Sequence, residues 1–220
     1  MATILIRLRA PLQSWGGEAY FEDRGTNTEP TKSGVIGLIA AALGRGRSED
    51  ISDLAALKMA VRVDREGHVE SDFQTINNVL QVNGSLKSTV VAHKEYLADA
   101  CFLVGLSGDL QLLQEIKKAL YAPAWQLFAG RKSFPFSEPL DFDGNLVDKD
   151  LFDAITECPL MVPKVNDILP AKIRLIIEDK NGELIRLDQP VNFLTREKVI
   201  RKLSVQFIPS PKDFLDEVLL

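Results

Sequence analysis

The run PTKSGVIGLIAAALG, from Pro30 to Gly44, constrains this chain more than any other stretch. Thr31 or Ser33 can cap the first free N–H groups of a helix, and Gly44 suits the left-handed position just past its end. Val35, Ile36, Leu38, Ile39, Ala42 and Leu43 leave almost no polar face, so the helix must be buried on most sides. Lys32 and the free N–H groups at its mouth make a potential anion site, where something phosphorylated can sit. The run does not make a nucleotide-binding P-loop. That loop needs G-x-x-x-x-G-K-[ST]; here Thr31 and Thr26 stand at the two glycine positions, and Gly25 is out of register. The plain alternative is a capped core helix.

At 220 residues the chain fits one large domain or two small ones, and a hydrophobic content of 45% supports a real core. No run of about 18 apolar residues occurs, so no spanning helix is expected. The opening residues Met1 to Arg7 read as a strand rather than a signal peptide. Cys101 and Cys158 are isolated, which suits a reducing, cytoplasmic setting without a disulfide framework. The net charge of −5 is unevenly spread: residues 1–47 carry six bases against four acids, and residues 138–190 carry twelve acids against six bases. Such a chain can bind RNA on one face and protein on another, or simply vary in surface charge.

Residues 3–9 alternate as a strand, with Ile4, Ile6 and Leu8 on one face and Leu5, Arg7 and Arg9 on the other. The two arginines can meet phosphates on an open face or guard an edge strand. Trp15, in a Pro/Gly loop, is either a lid on the core or a stacking surface for a base. After the central helix come a basic exit at Arg45 and Arg47, a short helix over 51–57, a strand over 58–64, and a possible antiparallel return over 69–76. Residues 77–92, β-branched and broken by Asn83-Gly84, read as a projecting hairpin or functional loop containing Lys87. A strand over 97–106 leads into a helix opened by Gly108-Asp109 and ending near Leu120, with Leu110, Leu113, Ile116 and Leu120 on one face. A short strand over 125–129 precedes Gly130-Arg131-Lys132-Ser133, a candidate phosphate clamp: glycine for close approach, two charges, one hydroxyl. Further on, a short helix over 148–155, a hairpin about Asn181-Gly182 and a last strand over 199–208 complete the chain. The order fits a split βαβ, ferredoxin-like α+β arrangement, a fold that hosts many functions.

Catalytic signatures are few. His68 and His93 are the only histidines, so no metal-ligand cluster is expected, and no cofactor motif occurs. Acidic neighbours such as Glu22-Asp23 and Asp148/Asp150 read as solvated. One arrangement could cut RNA without metal: His93 and Lys94, with Tyr20 or Tyr96, supply groups to move protons and steady a phosphorane. Adjacent strand residues point to opposite faces, which weakens the pair.

Four ordered segments carry a resemblance: Gln13-Ser14-Trp15-Gly16, Pro30 to Gly44, Glu95-Tyr96-Leu97-Ala98-Asp99-Ala100 and Gly130-Arg131-Lys132-Ser133. Together, over roughly residues 3–140, they resemble CasD-type subunits, the Cas-five family of subtype I-E in the CRISPR Cascade complex. The resemblance implies a RAMP protein: a ferredoxin-like, RRM-related domain over 1–140 with a thumb hairpin at about 77–92, and a smaller β-rich part over 141–220. It implies a non-catalytic subunit that holds the 5′ handle of the CRISPR RNA and caps a backbone of Cas-seven family subunits. Such a subunit also touches the large subunit and, indirectly, target DNA, with no membrane partner. Relatives of subtype I-C cut the repeat RNA themselves, which keeps the His93, Lys94 and Tyr20 reading open. Where many relatives have an Asp-Tyr-His-Thr-like stretch this chain reads Asp72-Phe73-Gln74-Thr75, and Phe134 replaces a Cys after the Arg-Lys-Ser motif. The candidate RNA-binding residues are Trp15, Arg24, Thr31, Lys32, Ser33, Arg45, Lys87, Gly130, Arg131, Lys132 and Ser133. A protein-only adaptor is the remaining class, and it predicts no salt-dependent RNA binding.

Overall fold

The computed structural model describes residues 2–16, 23–162 and 170–212. In chain order its elements are β1 (Ala2–Arg9), β2 (Leu12–Gln13), β3 (Asp23–Arg24), α1 (Lys32–Leu43), α2 (Ser52–Ala55), β4 (Lys58–Arg65), β5 (His68–Leu80), β6 (Leu86–Ala98), β7 (Cys101–Gly108), α3 (Leu110–Tyr121), β8 (Leu146–Val147), α4 (Leu151–Glu157), β9 (Lys172–Glu178), β10 (Leu184–Asn192) and β11 (Glu197–Pro209). One seven-stranded sheet runs in the order β10-β11-β9-β4-β7-β1-β8, and all its pairings are antiparallel.

Alternation places the two faces of this sheet in two cores. Ile4, Ile6 and Leu8 join Met59, Val61, Val63, Phe102, Val104 and Leu106 in the main core, under α1 and α3. Leu5, Ala60, Cys101 and Leu103 face the other way, onto Leu151, Ala154 and Ile155 of α4. The edge-strand alternative for residues 3–9 is corrected: β1 lies inside the sheet, between β7 and β8. Arg7 and Arg9 both reach Glu138, so their charges are answered within the protein.

Helix α1 forms as its sequence dictates. The Thr31 hydroxyl caps the Gly34 N–H at 3.3 Å, and Gly44 closes the far end at φ +76°. It packs on α2, α3 and β10, which accounts for its nearly unbroken apolar surface. Helix α3 starts at an Asp109 cap and buries Leu113, Ile116 and Leu120, whereas Leu110 in its first turn stays exposed. The end of α4 is held from below by the buried Arg62, which donates to the carbonyls of Ile155, Cys158 and Pro159 at 2.7, 2.5 and 2.7 Å. Asp64 neutralises it through two further bonds of 2.6 and 2.9 Å.

Four local expectations are corrected by tertiary pairing. Residues 69–76 do not return on β4; β5 pairs with β6 along its whole length, from His68↔Ala98 to Leu80↔Leu86. The apolar run 97–106 is cut at Asp99, whose φ of +57° separates β6 from β7 and sends them into different sheets. Residues 125–129 form no strand. Finally, β9 and β10 are not a hairpin, because β11 lies between them and pairs with both. The turn at Gly182 instead packs against the backbone of Leu203 in β11. Each strand's own alternation suits either neighbour, so order in the sheet is invisible to a local pattern.

The hairpin of β5 and β6 is exposed along most of its length. Its paired strands extend beyond the expected 77–92, from His68↔Ala98 to Leu80↔Leu86, and β2 and β3 pair with β6 near its root to complete a four-stranded sheet.

Candidate nucleic-acid interface

The mouth of α1 is the first place an anion was expected, and an anion is there, but it belongs to the protein. The Asp188 carboxylate accepts the Lys32 backbone N–H at 2.9 Å and is clamped by Arg201 at 2.6 and 2.8 Å. The Lys32 side chain is 2% exposed and its ammonium lies 2.8 Å from Glu178. Burial pushes that ammonium below its usual range, and Glu178 offsets this only in part. Burial also works against the Asp188 charge, yet the Arg201 bonds and the Lys32 N–H outweigh it and hold the carboxyl below its usual range. Close by, the buried Glu29 takes Thr28, Arg186 and Arg174, and these likewise overcome burial to lower its pKa. Lys32 therefore offers no free charge to a ligand, Thr31 is occupied as the helix cap, and half-buried Ser33 lies beside them. Part of the expected acidic C-terminal surface is the lining of this internal network.

Trp15 is corrected from stacking surface to core. It is 1% exposed, its ring nitrogen donates to Gln13 at 2.9 Å, and its ring lies against Gly34 in the first turn of α1. Gly130 is needed for a protein contact rather than a ligand. At φ +87°, a Cβ there would stand 1.7 Å from the Ser14 carbonyl oxygen.

The loop that follows behaves differently. Arg131 donates to the carbonyls of Glu95 at 2.8 Å and Arg24 at 3.4 Å, and lies 5.6 Å over the ring of Phe134. Phe134 in turn meets Tyr96 edge-on at 5.8 Å. This stack locks the loop to the root of the hairpin. Burial, and then the charge of Arg24, lower the pKa of Arg131. Among the described residues no carboxylate pairs with Arg24, Arg131 or Lys132, and Lys132 and Ser133 are exposed beside them. Neighbouring cations without a paired carboxylate are the kind of surface that attracts an anion. Arg45, by contrast, is closed on Asp53 by two bonds of 2.6 Å. Lys87 lies far off, exposed near the hairpin tip.

Of the groups named for metal-independent cleavage, the structure describes His93, Lys94 and Tyr96. His93 packs near Phe73 at 6.5 Å, and its neighbour Lys94 is hydrogen-bonded to Gln74. Phe73 and Gln74, from the stretch where this chain departs from the Asp-Tyr-His-Thr pattern, are thus the partners of these residues. Tyr20 lies outside the described residues. Sequence reasoning also missed Trp125, Phe128, Phe193 and Arg196, which line a cleft with Arg47 and Lys132. Arg45, Arg47 and Lys132 carried a local signal; the others come from segments that no sequence pattern links.

These features define a class: a mixed α/β protein built mainly on antiparallel sheet, with a long hairpin whose root carries positive charge that no carboxylate answers among the described residues. Over residues 3–204 the chain matches the family described as CRISPR-associated protein (Cas_Cas5). The chain belongs to that Cas5 family, as a CasD-type member. It is 33% identical over 154 residues to CRISPR system Cascade subunit CasD of Escherichia coli (strain K12), spanning 62% of this chain and 68% of that protein. It is similar to a crystal structure of a Cas protein, with TM-score 0.79 and 39% identity over 95% of this chain and 97% of the other. It is also similar to a chain of a CRISPR RNA-guided surveillance complex, with TM-score 0.79 and 31% identity over 96% and 91%.

Proposed function

We propose that this protein is a non-catalytic subunit of a type I-E Cascade complex that holds the 5′ handle of the CRISPR RNA. In the same reading it caps the backbone of Cas-seven family subunits, touches the large subunit and, through them, serves target DNA binding in antiviral defence in the cytoplasm. The observation that carries this is the Arg24–Arg131 pair with Lys132 beside it, positive and unanswered among the described residues at the root of the hairpin. Short RNA ends need phosphate anchors near surfaces that take unstacked bases.

The similarity to a Cascade subunit and to a surveillance-complex chain supports the assembly. The sheet order β4-β7-β1-β8 with α1 and α3 over one face supports a ferredoxin-like core. The exposed hairpin supports a thumb whose distal half is 77–92. The second core, around α4, β9 and the end of β11, supports treating 141–220 as a part added to 1–140.

The test is one gel on the full chain, with and without the backbone subunits, using 5′-labelled repeat RNA in EDTA. Wild type should shift the RNA and leave it intact. Arg131→Ala/Lys132→Ala should weaken binding by about 1–3 kcal/mol for each charge-assisted hydrogen bond to phosphate that it removes. Unchanged affinity would remove these two as anchors. A specific cut that disappears in His93→Ala would make the protein a metal-independent ribonuclease instead.

A further inference from the structure

We propose that the cleft beside Lys132 takes an unstacked base of the same single-stranded RNA, with Trp125 as its stacking face. This rests on the handle-holding reading and adds a second subsite to it. The cleft measures about 690 Å³, within the range of about 300–1,000 Å³ in which pockets enclose small molecules. Its floor is the small-residue face of α1 at Gly37, Ala40 and Ala41. Phe128 and Phe193 line it, and Trp125 stands in it 51% exposed.

The cleft is built by the fold. The Ala124 N–H donates to the Ala42 carbonyl at 2.9 Å, which ties the segment bearing Trp125 to α1. The turn between β10 and β11, which bears Phe193 and Arg196, is fixed by the Asn192 side chain. That side chain accepts the N–H groups of Leu194 and Thr195 at 2.8 and 3.1 Å. The Phe193 ring lies over Gly37, where a Cβ would stand 3.6 Å away.

The electrostatics select the occupant. Arg45, Arg47, Lys132 and Arg196 line the cleft, and among the described residues no acid does. Asp53 answers Arg45, but among the described residues no carboxylate pairs with Arg47, Lys132 or Arg196. Aromatic faces interleaved with free cations are the pattern that binds single strands without reading base edges. Lys132 follows Arg131 directly, so the cleft and the Arg24–Arg131 pair meet at adjacent residues of one loop.

Trp15 and Trp125 are the only tryptophans, and Trp15 is buried. Emission that responds to a bound base therefore reports Trp125. The full chain is titrated with a single-stranded octaribonucleotide, followed by tryptophan emission and by anisotropy of a 5′ label. The expected result is quenching on binding, with Trp125→Leu weakening affinity roughly 5- to 150-fold, the effect of losing one stacked base. Trp125→Phe keeps most of the affinity, and the remaining Trp15 emission shows that each variant is folded. Arg196→Ala lowers the salt slope by about 0.7, one phosphate's share on a single strand. Binding seen by anisotropy, with unchanged emission and full affinity in Trp125→Leu, would overturn the cleft and leave the handle holder standing. Absence of binding in both readouts, with and without the backbone subunits, would overturn both readings. Stronger quenching by an acidic peptide than by RNA would overturn the RNA subsite and assign the cleft to a protein partner.

Discussion

The mouth of α1 and the loop at 130–133 look alike in sequence: each has a base next to serine and glycine. In the folded protein they are opposites. At α1 the charge of Lys32 and the helix N–H groups are met from inside, by Glu178 and Asp188 of the C-terminal strands. At the loop, Arg131 is held, among the described residues, by backbone carbonyls and an aromatic ring, and beside it Arg24 adds charge of the same sign. The lesson is that a basic motif marks a ligand site only when no acid reaches it from elsewhere in the fold.

The sharpest way to break this comparison is to remove the internal anion. Asp188→Ala leaves the Lys32 N–H buried without its acceptor and Arg201 with Glu178 alone at 3.2 Å, and should lower stability by about 3–5 kcal/mol, read by urea denaturation. Stability equal to wild type would mean that the helix mouth does not depend on an internal anion. A paired exchange comes next. Lys32→Met should lower stability by about 1–3 kcal/mol, because Glu178 loses a charged partner but keeps Arg201. It should leave RNA affinity unchanged. Lys132→Ala should do the reverse, lowering RNA affinity by about 1 kcal/mol and stability by less than about 0.5 kcal/mol. Any exchange of these two outcomes would invert the assignment of the regions.

The smallest effect is on pH dependence. The carboxyls of Glu29 and Asp188 titrate lower in the fold than in the unfolded chain, where they have ordinary values. The unfolded state therefore binds more protons in that window, and stability rises with pH across it. Their contribution is complete above the ordinary carboxylate range and is lost as pH falls through their lowered values. The effect is modest because burial opposes the guanidinium bonds in both groups. Denaturation midpoints between pH 6 and about pH 3 should fall less steeply in Glu29→Gln; an unchanged slope would remove Glu29 from the network's acid sensitivity.

Much of the body was legible because it is local. The caps of α1 and α3, the alternation of β1 and the buried run from Val35 to Leu43 each depend on residues within a turn or two. The hairpin was legible at its tip, where Asn83-Gly84 makes the turn, but not at its root, where β2 and β3 attach from distant sequence. Of the candidate site, Arg24, Arg131 and Lys132 remain exposed or partly exposed, whereas Trp15 and Lys32 went to the core.

The sequence by itself determined where helices begin and end, which faces are apolar, and that Arg131 and Lys132 sit in a glycine turn. Only the tertiary structure decided that β11 separates β9 from β10, that Asp188 fills the mouth of α1, and that Trp125 is the exposed tryptophan. The reason is physical. Capping and periodicity act over a few residues, whereas charge neutralisation and strand order depend on partners outside that window, 156 residues apart for Lys32 and Asp188.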